Sequence, residues 1–330
     1  MRAIMRFVGA PGIDFCRRDL TEADFTGADL REAQFHLAKL ERASLYCANM
    51  EGADLRGANL LRADVRGASL RRADLTSAFL DDADFRQATL ARTDADGKFR
   101  LSGRSAITAG GGGEQAFSVD FTNCSMKFVR FGGAKLKGAN FSDALLHGAD
   151  FKGAVVTGAT FAGAVLTGVD LGQLMIDRAA LAGALLDPAP EAVALAAELR
   201  ERLAAAERWA STDGAEGECA NCDDADLRPL GDAFENRKLT AISAKRACAV
   251  GVNFRGAQMQ GANFEGADLR DADFAGADLR GSSFRDANLW HARFKGADVR
   301  PLPIEAGAHS VDFTGARLDA RSLALARRDD

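Results

Sequence analysis

The sequence predicts an all-β solenoid that carries one amphipathic α-helix as an insert. The main evidence is an apolar residue at every fifth position, as in Leu55, Leu60, Val65, Leu70 and Leu75, with an Ala two positions before each. An α-helix repeats its faces every 3.6 residues and a strand every two, so neither keeps these side chains on one side as a continuous element. The chain must therefore bend every five residues.

Each position of the repeat has a physical role when the fifth-position apolar residue is called i. Residues i−2 and i both point inward in an extended segment, so i+1 and i+2 must turn the corner, where Gly recurs at i+2. Asp or Asn at i−1 accepts hydrogen bonds from backbone N–H groups at a turn. Much of the acidic content is therefore predicted to be structural. The Asp residues concerned include Asp54, Asp64 and Asp74, which we expect Arg56, Arg66 and Arg71 to neutralise.

Interruptions of the repeat define the predicted domains. The runs that keep an apolar residue at every fifth position cover 15–90, 121–186, 254–299 and 313–323. Phe234 lies twenty residues before Phe254 and extends the third run toward the N-terminus. The small Ala244 and Ala249 predict a distorted coil there. The predicted organisation is an N-terminal cap segment at 1–12, a first β-helix at 13–187 with a loop insertion at 96–118, a helical acidic insert or linker at 188–233, a second β-helix at 234–325 with a loop insertion at 300–310, and a tail at 326–330.

Two repeat units carry a resemblance to a known family. Ala53-Asp54-Leu55-Arg56-Gly57 and Ala262-Asn263-Phe264-Glu265-Gly266 resemble the motif of the pentapeptide-repeat proteins. The resemblance implies a right-handed quadrilateral β-helix, in which each pentapeptide forms one side and about 20 residues form a coil. Residues twenty apart should then stack about 4.8 Å apart, the spacing of neighbouring strands. The predicted core columns include Phe121, Phe141 and Phe161; Phe131 and Phe151; Phe264 and Phe284; Phe254, Phe274 and Phe294; and Leu55 and Leu75.

Two segments without the repeat are distinctive. Residues 96–118 include Phe99, Leu101 and the glycines at 110–113, and are predicted to form a loop or irregular hairpin. After Asp187 as N-cap and Pro190 in the first turn, Leu residues four apart predict a helix to about Trp209. We expect this helix to cover an end of the 121–186 run, because a solenoid needs caps, or to pack along one face; dimerisation through it is less favoured.

Composition excludes several classes of function. The net charge is −5, and no run approaches the length of a membrane span, so we expect a cytoplasmic protein with no direct nucleic-acid or membrane partner. Four His residues lie far apart in the sequence, and no nucleophile–base set can be nominated. We therefore expect no enzyme activity and no cofactor. Six Cys residues without a framework spacing predict reduced thiols.

One cysteine motif is of a kind that can bind a metal or carry out redox chemistry. Cys219 and Cys222 form a CxxC pair, which could supply half of a zinc site or a redox pair. No second CxxC or CxxH follows, and the acidic neighbours Glu218 and Asp223 would raise the thiol pKa values. We therefore expect no metal site, with these two cysteines as weak candidates in an ordinary loop.

The net charge of the repeat runs can be compared with what one function implied by the resemblance would require. Some pentapeptide-repeat proteins bind DNA gyrase or topoisomerase IV and resemble duplex DNA, which carries one charge per 1.7 Å of axis. A solenoid rising about 4.8 Å per coil would need nearly three negative charges per coil. Residues 13–97 carry 16 acidic and 12 basic residues, and the later runs are not acidic. A topoisomerase-binding DNA mimic is therefore the alternative rather than the leading hypothesis.

The leading hypothesis is a non-catalytic protein-interaction scaffold. Residues 187–233 carry 12 acidic residues against four basic ones, and segments grafted on a rigid scaffold often carry recognition. Deletion of 190–226 is expected to preserve the β-helix and abolish capture of a protein partner. A homodimer is a further expected form. Contact candidates are the corner residues Tyr46, Trp290 and His291, together with Trp209 of the helix.

Overall fold

A computed structural model describes residues 3–86, 88–90, 115–172, 174–305 and 307–327 of the chain. The chain divides into two compact units, Met1–Asp187 and Pro188–Asp330. Each unit is built around its own hydrophobic core. No helix in the described parts of either unit is long and apolar enough to cross a membrane.

Both units are made of four-sided coils. Parallel bridges join residues at i−1 that are twenty positions apart, such as Asp54 with Asp74 and Asp268 with Asn288. At each corner the N–H of i+3 donates to the carbonyl of i, as Ala23 does to Leu20 at 2.9 Å. The second corner residue has a positive φ, which is 63° at Gly27. This is the geometry of a type II turn and explains the recurrent Gly at i+2.

The predicted core columns are present. Phe141 lies between Phe121 and Phe161, with ring centroids 4.8 and 4.9 Å apart. In the second unit, Phe254 and Phe274 stack at 4.9 Å. Every ring of the predicted columns stacks on its neighbour in the next coil. The further pairs are Phe131 with Phe151, Phe264 with Phe284, and Phe274 with Phe294, and Leu55 and Leu75 are likewise buried.

The first unit begins earlier than expected. Ile4 bridges to Asp24 and Gly9 to Asp29, so the described part of the predicted cap, residues 3–12, forms part of a coil. The reason is visible in the pattern, since Met5 and Ala10 continue the inward i positions and pack against the core.

The long insertion of the first unit has a hairpin base. Strand β1 (Ala88–Leu90) pairs antiparallel with β2 (Gln115–Phe117), and the coil resumes at Asp120, which bridges to Ser69. The first run therefore ends at Phe85, because Leu90 belongs to the hairpin. The segment 91–114, which includes Phe99, Leu101 and the glycines at 110–113, lies outside the described residues.

The second β-helix also begins earlier than predicted. Asn221 bridges to Ser243 and Asp226 to Cys248, an offset of 22 residues instead of 20. A 3-10 helix at Arg228–Leu230 lies in this longer coil, which precedes the coil of Ala244 and Ala249. The coil of Ala244 and Ala249, for which distortion was expected, has the regular offset of 20 residues to the next, as in the bridge of Ser243 with Asn263. Residues 220–233 are consequently part of the second solenoid and not of the insert.

Helix α1 (Pro190–Ser211) caps the second solenoid. Its buried residues Ala196, Leu199 and Leu203 belong to the core of that unit, so its apolar face covers the start of the second solenoid, whereas an end of the 121–186 run was expected. Its N-cap is Ala189, because the carboxylate of Asp187 accepts instead from the backbone N–H of Gly168 at 2.8 Å.

The remaining elements lie near the C-terminal end of the second unit, apart from a 3-10 helix at Arg178–Leu181 in the first. Strand β3 (Asn288–Leu289) pairs in parallel with β6 (Arg317–Leu318), and β4 (Leu302–Ile304) forms a hairpin with β5 (Gly307–His309). Helix α2 (Ala320–Leu323) was not predicted. Arg327 bridges to Asp298, so the coil continues into the predicted tail at 326–330.

Candidate interaction site

Helix α1 closes the open edge of the second solenoid. Its buried residues recur at spacings of three and four, which places them on one face of the helix. Arg202 donates to the carbonyl of Asn221 and Arg200 to that of Pro229, both at 3.1 Å. These carbonyls belong to the first coil of the unit, where a sheet edge presents unpaired groups. The arginines therefore fix the helix to that edge by polar contacts as well as by its apolar face.

An acidic loop, residues 213–218, folds back on the end of α1. The hydroxyl of Thr212 donates to the carbonyl of Arg208 at 2.8 Å and accepts from the N–H of Glu216 at 3.0 Å. Gly217 has a φ of 82°, and a Cβ there would overlap the carbonyl oxygen of Ala205. Only glycine permits this close approach, so the loop is held against the helix.

Five carboxylates of this region point into solvent. They define what we name the insert surface, and all five are exposed. No ion pair is found for any of them among the described residues of the chain. The five residues are Glu191, Glu201, Asp213, Glu216 and Glu218.

The aspartates of the coils that are followed two positions later by Arg are in the opposite situation. Asp64 accepts from Arg66 through both oxygens, at 2.8 and 2.7 Å, and Arg66 also lies 3.9 Å from Asp84 of the next coil. In the second unit, Arg300 donates to both oxygens of Asp298 and thereby lowers the pKa of that carboxyl, with burial acting in the opposite direction. Asp at i−1 and Arg at i+1 thus form a bidentate pair.

One predicted pairing is wrong. Arg71 lies 3.8 Å from Asp120, because the insertion makes the coil of Asp120 the next one after the coil of Arg71. Asp74 instead accepts from the N–H and hydroxyl of Thr76, and Arg56 lies 3.9 Å from it. Arg side chains therefore lie along the Asp columns, and these columns do not form continuous lines of free carboxylates.

The two cysteines of the CxxC pair lie in different environments. Cys222 is an inward residue, 1% exposed, in the core of the second unit, whereas Cys219 is exposed. Burial raises the pKa of Cys222 to about 11. Among the residues that the structure describes, no group of His, Cys, Asp and Glu could hold a metal ion. Ala220-Asn221-Cys222 is a repeat unit in its own right, and this motif is the signal that could have placed Cys222 in the core.

The four predicted contact residues are less accessible than expected. Tyr46, Trp209, Trp290 and His291 are each only partly exposed. The guanidinium of Arg66, one coil further on, lies 5.1 Å from the centre of the Tyr46 ring, and Gly214 lies close to the indole of Trp209. The corner side chain of Tyr46 therefore packs against a corner side chain of the next coil.

Comparison with known families identifies the class of protein. Models described as pentapeptide repeats match residues 12–45, 33–72, 68–97, 239–274, 247–286 and 263–300, and a second pentapeptide-repeat model matches 131–184. The matches cover more than half of the chain, which therefore belongs to the pentapeptide-repeat family. Its fold is the right-handed quadrilateral β-helix, with α1 as the helical insert.

Solved structures that resemble the chain are also pentapeptide-repeat proteins. HetL of the cyanobacterium Nostoc sp., involved in heterocyst differentiation regulation, is 18% identical, with a TM-score of 0.34 over 98% of this chain and 87% of HetL. QnrB1, a plasmid-mediated fluoroquinolone resistance protein, is 14% identical, with a TM-score of 0.21 over 98% of this chain and 95% of QnrB1. A protein of the Arabidopsis thaliana thylakoid lumen is 22% identical, with a TM-score of 0.19 over 58% of this chain and 77% of its own. The curated proteins contain no match.

Proposed function

We propose that the chain is a non-catalytic interaction scaffold whose main contact is the insert surface. The observation that carries this proposal is the difference in pairing. The described Asp residues of the coils that have an Arg two positions later are bound to it, as in the pair of Asp278 with Arg280 at 2.7 Å. The five exposed carboxylates of the insert surface have no ion-pair partner among the described residues.

The insert surface is also held in place. Helix α1 is fixed through Leu199, Leu203 and two arginine side chains, and the acidic loop is fixed to the helix. A surface that is ordered before binding loses little conformational freedom on association. Exposed carboxylates of one sign steer an oppositely charged partner toward the surface. The expected partner is therefore a protein with a basic contact patch.

The alternative function has no comparable support. A DNA-mimicking binder of gyrase or topoisomerase IV needs carboxylates that are free to act as phosphate substitutes. The Asp ladders of the first unit are bound by cations, as Asp84 is by Arg86 at 2.7 Å. We therefore propose the scaffold function and keep topoisomerases only as one class of protein partner.

The test must leave the fold intact. Deletion of 190–226 is unsuitable, because it would remove the capping helix and the core residues Ala220 and Cys222. We instead propose a fourfold charge reversal of the insert surface and a matched reversal of exposed acids elsewhere. The insert variant is Glu201→Lys, Asp213→Lys, Glu216→Lys and Glu218→Lys. The control variant is Glu235→Lys, Glu265→Lys, Asp286→Lys and Glu305→Lys, at exposed acids for which no ion pair is found in the described part of the chain.

The readout is quantitative affinity capture from the native organism, with circular dichroism to verify the fold. The wild-type chain and the control variant are expected to retain the same protein partner, and the insert variant is expected to lose it. Equal recovery with all three chains, or loss with the control variant alone, contradicts the proposal.

A further inference from the structure

A second surface, on the first unit, has the opposite charge. Residues 121–142 make up slightly more than one coil and contain four basic residues and no acidic one. Lys135 lies at the centre of one side of that coil and bridges to Val155 in the next. Lys137 is at the corner that ends this side, and Lys152 is at the corner that begins it one coil later. We name the group Lys135, Lys137, Lys152, Val155 and Met175 the lysine side.

The cations of the lysine side are available for contact. Lys135, Lys137 and Lys152 are exposed, and no ion pair is found for them in the described part of the chain. The neighbouring acids accept hydrogen bonds from other groups of the chain, and Asp150 accepts from the backbone N–H of Lys152 at 2.9 Å. Asp84, one coil earlier, is bound by Arg86, and the Asp177 carboxylate accepts from Ala179 as N-cap of the 3-10 helix at Arg178–Leu181.

The centre of the lysine side is apolar. Val155 is 50% exposed, and Met175, twenty residues further on, is 92% exposed. The second corner residues Gly133, Gly138 and Gly153 carry no side chain, so an incoming chain can reach the side from either edge. Ammonium groups thus lie on the same side as two exposed apolar side chains, of which Val155 is joined directly to Lys135 by the backbone bridge.

We propose that the lysine side binds an extended, acidic and apolar segment of a partner protein. Exposed apolar residues beside ammonium groups complement a strand that carries carboxylates and apolar side chains in turn along one face. In a strand every second residue lies on the same face, so a segment with acidic residues at positions 1 and 5 and an apolar residue at position 3 presents all three to the lysine side. The scaffold then has two docking surfaces of opposite charge, and this inference goes beyond the insert surface.

Fluorescence anisotropy of a labelled peptide tests this directly. The probe is a ten-residue peptide that repeats Glu-Ser-Leu-Ser, so that Glu and Leu share one face of the extended peptide; it is titrated with the full chain, and the control probe has Gln in place of each Glu. Lys135→Glu, Lys137→Glu and Lys152→Glu form the test variant. The matched control variant is Lys39→Glu, Lys238→Glu and Lys295→Glu, which changes the same charge at exposed positions elsewhere.

We expect the wild-type chain and the control variant to bind the Glu peptide, and the test variant to bind it at least about tenfold more weakly, since three ion pairs become three repulsions. Val155→Ser with Met175→Ser should weaken binding about threefold or more. Binding that is equal for the Gln peptide, or unchanged in the test variant, overturns the proposal.

The wild-type chain and the same variants also distinguish two other ligands of the lysine side, a membrane and a second copy of the chain. Binding of phosphatidylserine vesicles that depends on these lysines, without peptide binding, would assign the side to a membrane and overturn the proposal. Self-association that is lost in the test variant, again without peptide binding, would assign it to a second copy and also overturn it. The insert variant is expected to bind the peptide normally, so failure of this inference and failure of the proposed function are distinguishable.

Discussion

The coils and the insert use acidic residues in different ways. In the coils, Asp at i−1 accepts from the turn N–H of i+1 and, where i+1 is Arg, from its guanidinium, as in Asp268 with Arg270. In the insert, the acids of 213–218 extend from a loop fixed by glycine and threonine contacts. A high density of carboxylate therefore has structural meaning in one region and leaves charge available for binding in the other. Pairing with an Arg two positions later distinguishes these coil aspartates from the carboxylates of the insert surface.

The stacked core of the coils should be the least tolerant region. Phe141→Ala is expected to lower the free energy of unfolding of the first unit by about 3–5 kcal/mol, because the ring is fully buried between two parallel rings. Guanidinium chloride unfolding followed by circular dichroism measures this. The control is Phe128→Ala, whose ring is 55% exposed and whose loss should cost under about 1 kcal/mol. Comparable losses in the two variants would contradict the stacked core.

Loss of a core contact of helix α1 should lower the free energy of unfolding of the second unit. Leu203→Ala is expected to cost about 2–4 kcal/mol, because Leu203 is fully buried in that core. Amide hydrogen exchange should become faster first in residues 220–243, which form the covered coil. Val193→Ala, at a 55% exposed position of the same helix, is the matched control and should leave exchange unchanged. Protection of 220–243 that survives Leu203→Ala would show that α1 is not the cap.

Cys222 should behave as a buried core residue and Cys219 as an exposed residue. Cys222→Ser places a hydroxyl in the core and is expected to cost about 1–3 kcal/mol, whereas Cys219→Ser should be neutral. In the folded chain, a thiol reagent at neutral pH should modify Cys219 rapidly and Cys222 only on unfolding, because Cys222 is buried and its pKa is raised to about 11. Equal labelling rates would restore the CxxC pair as a candidate site.

The Asp–Arg pairs should give the smallest effect. Arg300→Gln is expected to cost about 0.3–1 kcal/mol near neutral pH, the range for exposed ion pairs. The pKa of Asp298 is lowered below 3.8 chiefly by Arg300, so this contribution is present above pH 3.8 and is lost as pH falls through the lowered pKa. NMR titration should show the Asp298 pKa rising in the variant. An unchanged pKa would mean that the pair does not form in solution.

Much of the coil could be predicted, because each inward position depends on the local five-residue pattern. The columns through Phe141 and Phe274 follow from counting alone. The start of the second solenoid is harder to predict, because Cys222 is a small inward residue and its coil has two extra residues. The five-residue pattern therefore does not reveal its repeat unit. Arg71 was assigned the wrong partner because an insertion changes which coil comes next.

The insert surface could be predicted only in composition. The acid-rich segment 187–233 was evident, but the pairing of each carboxylate depends on contacts that are distant in sequence. Glu207 is bound by Arg237 at 2.9 Å and Asp224 by Arg246 at 2.6 Å, whereas Glu201 and Glu216 have no such partner among the described residues. Only the three-dimensional arrangement separates these two sets.

The most direct test of the central claim is partner capture by the two fourfold charge-reversal variants, measured side by side with the wild-type chain at low and high salt. We predict that reversal at the insert surface abolishes capture, that reversal at the matched acids outside it leaves capture intact, and that salt weakens capture by the wild-type chain. Capture that survives reversal of the insert surface would contradict the claim that its unpaired carboxylates form the binding site.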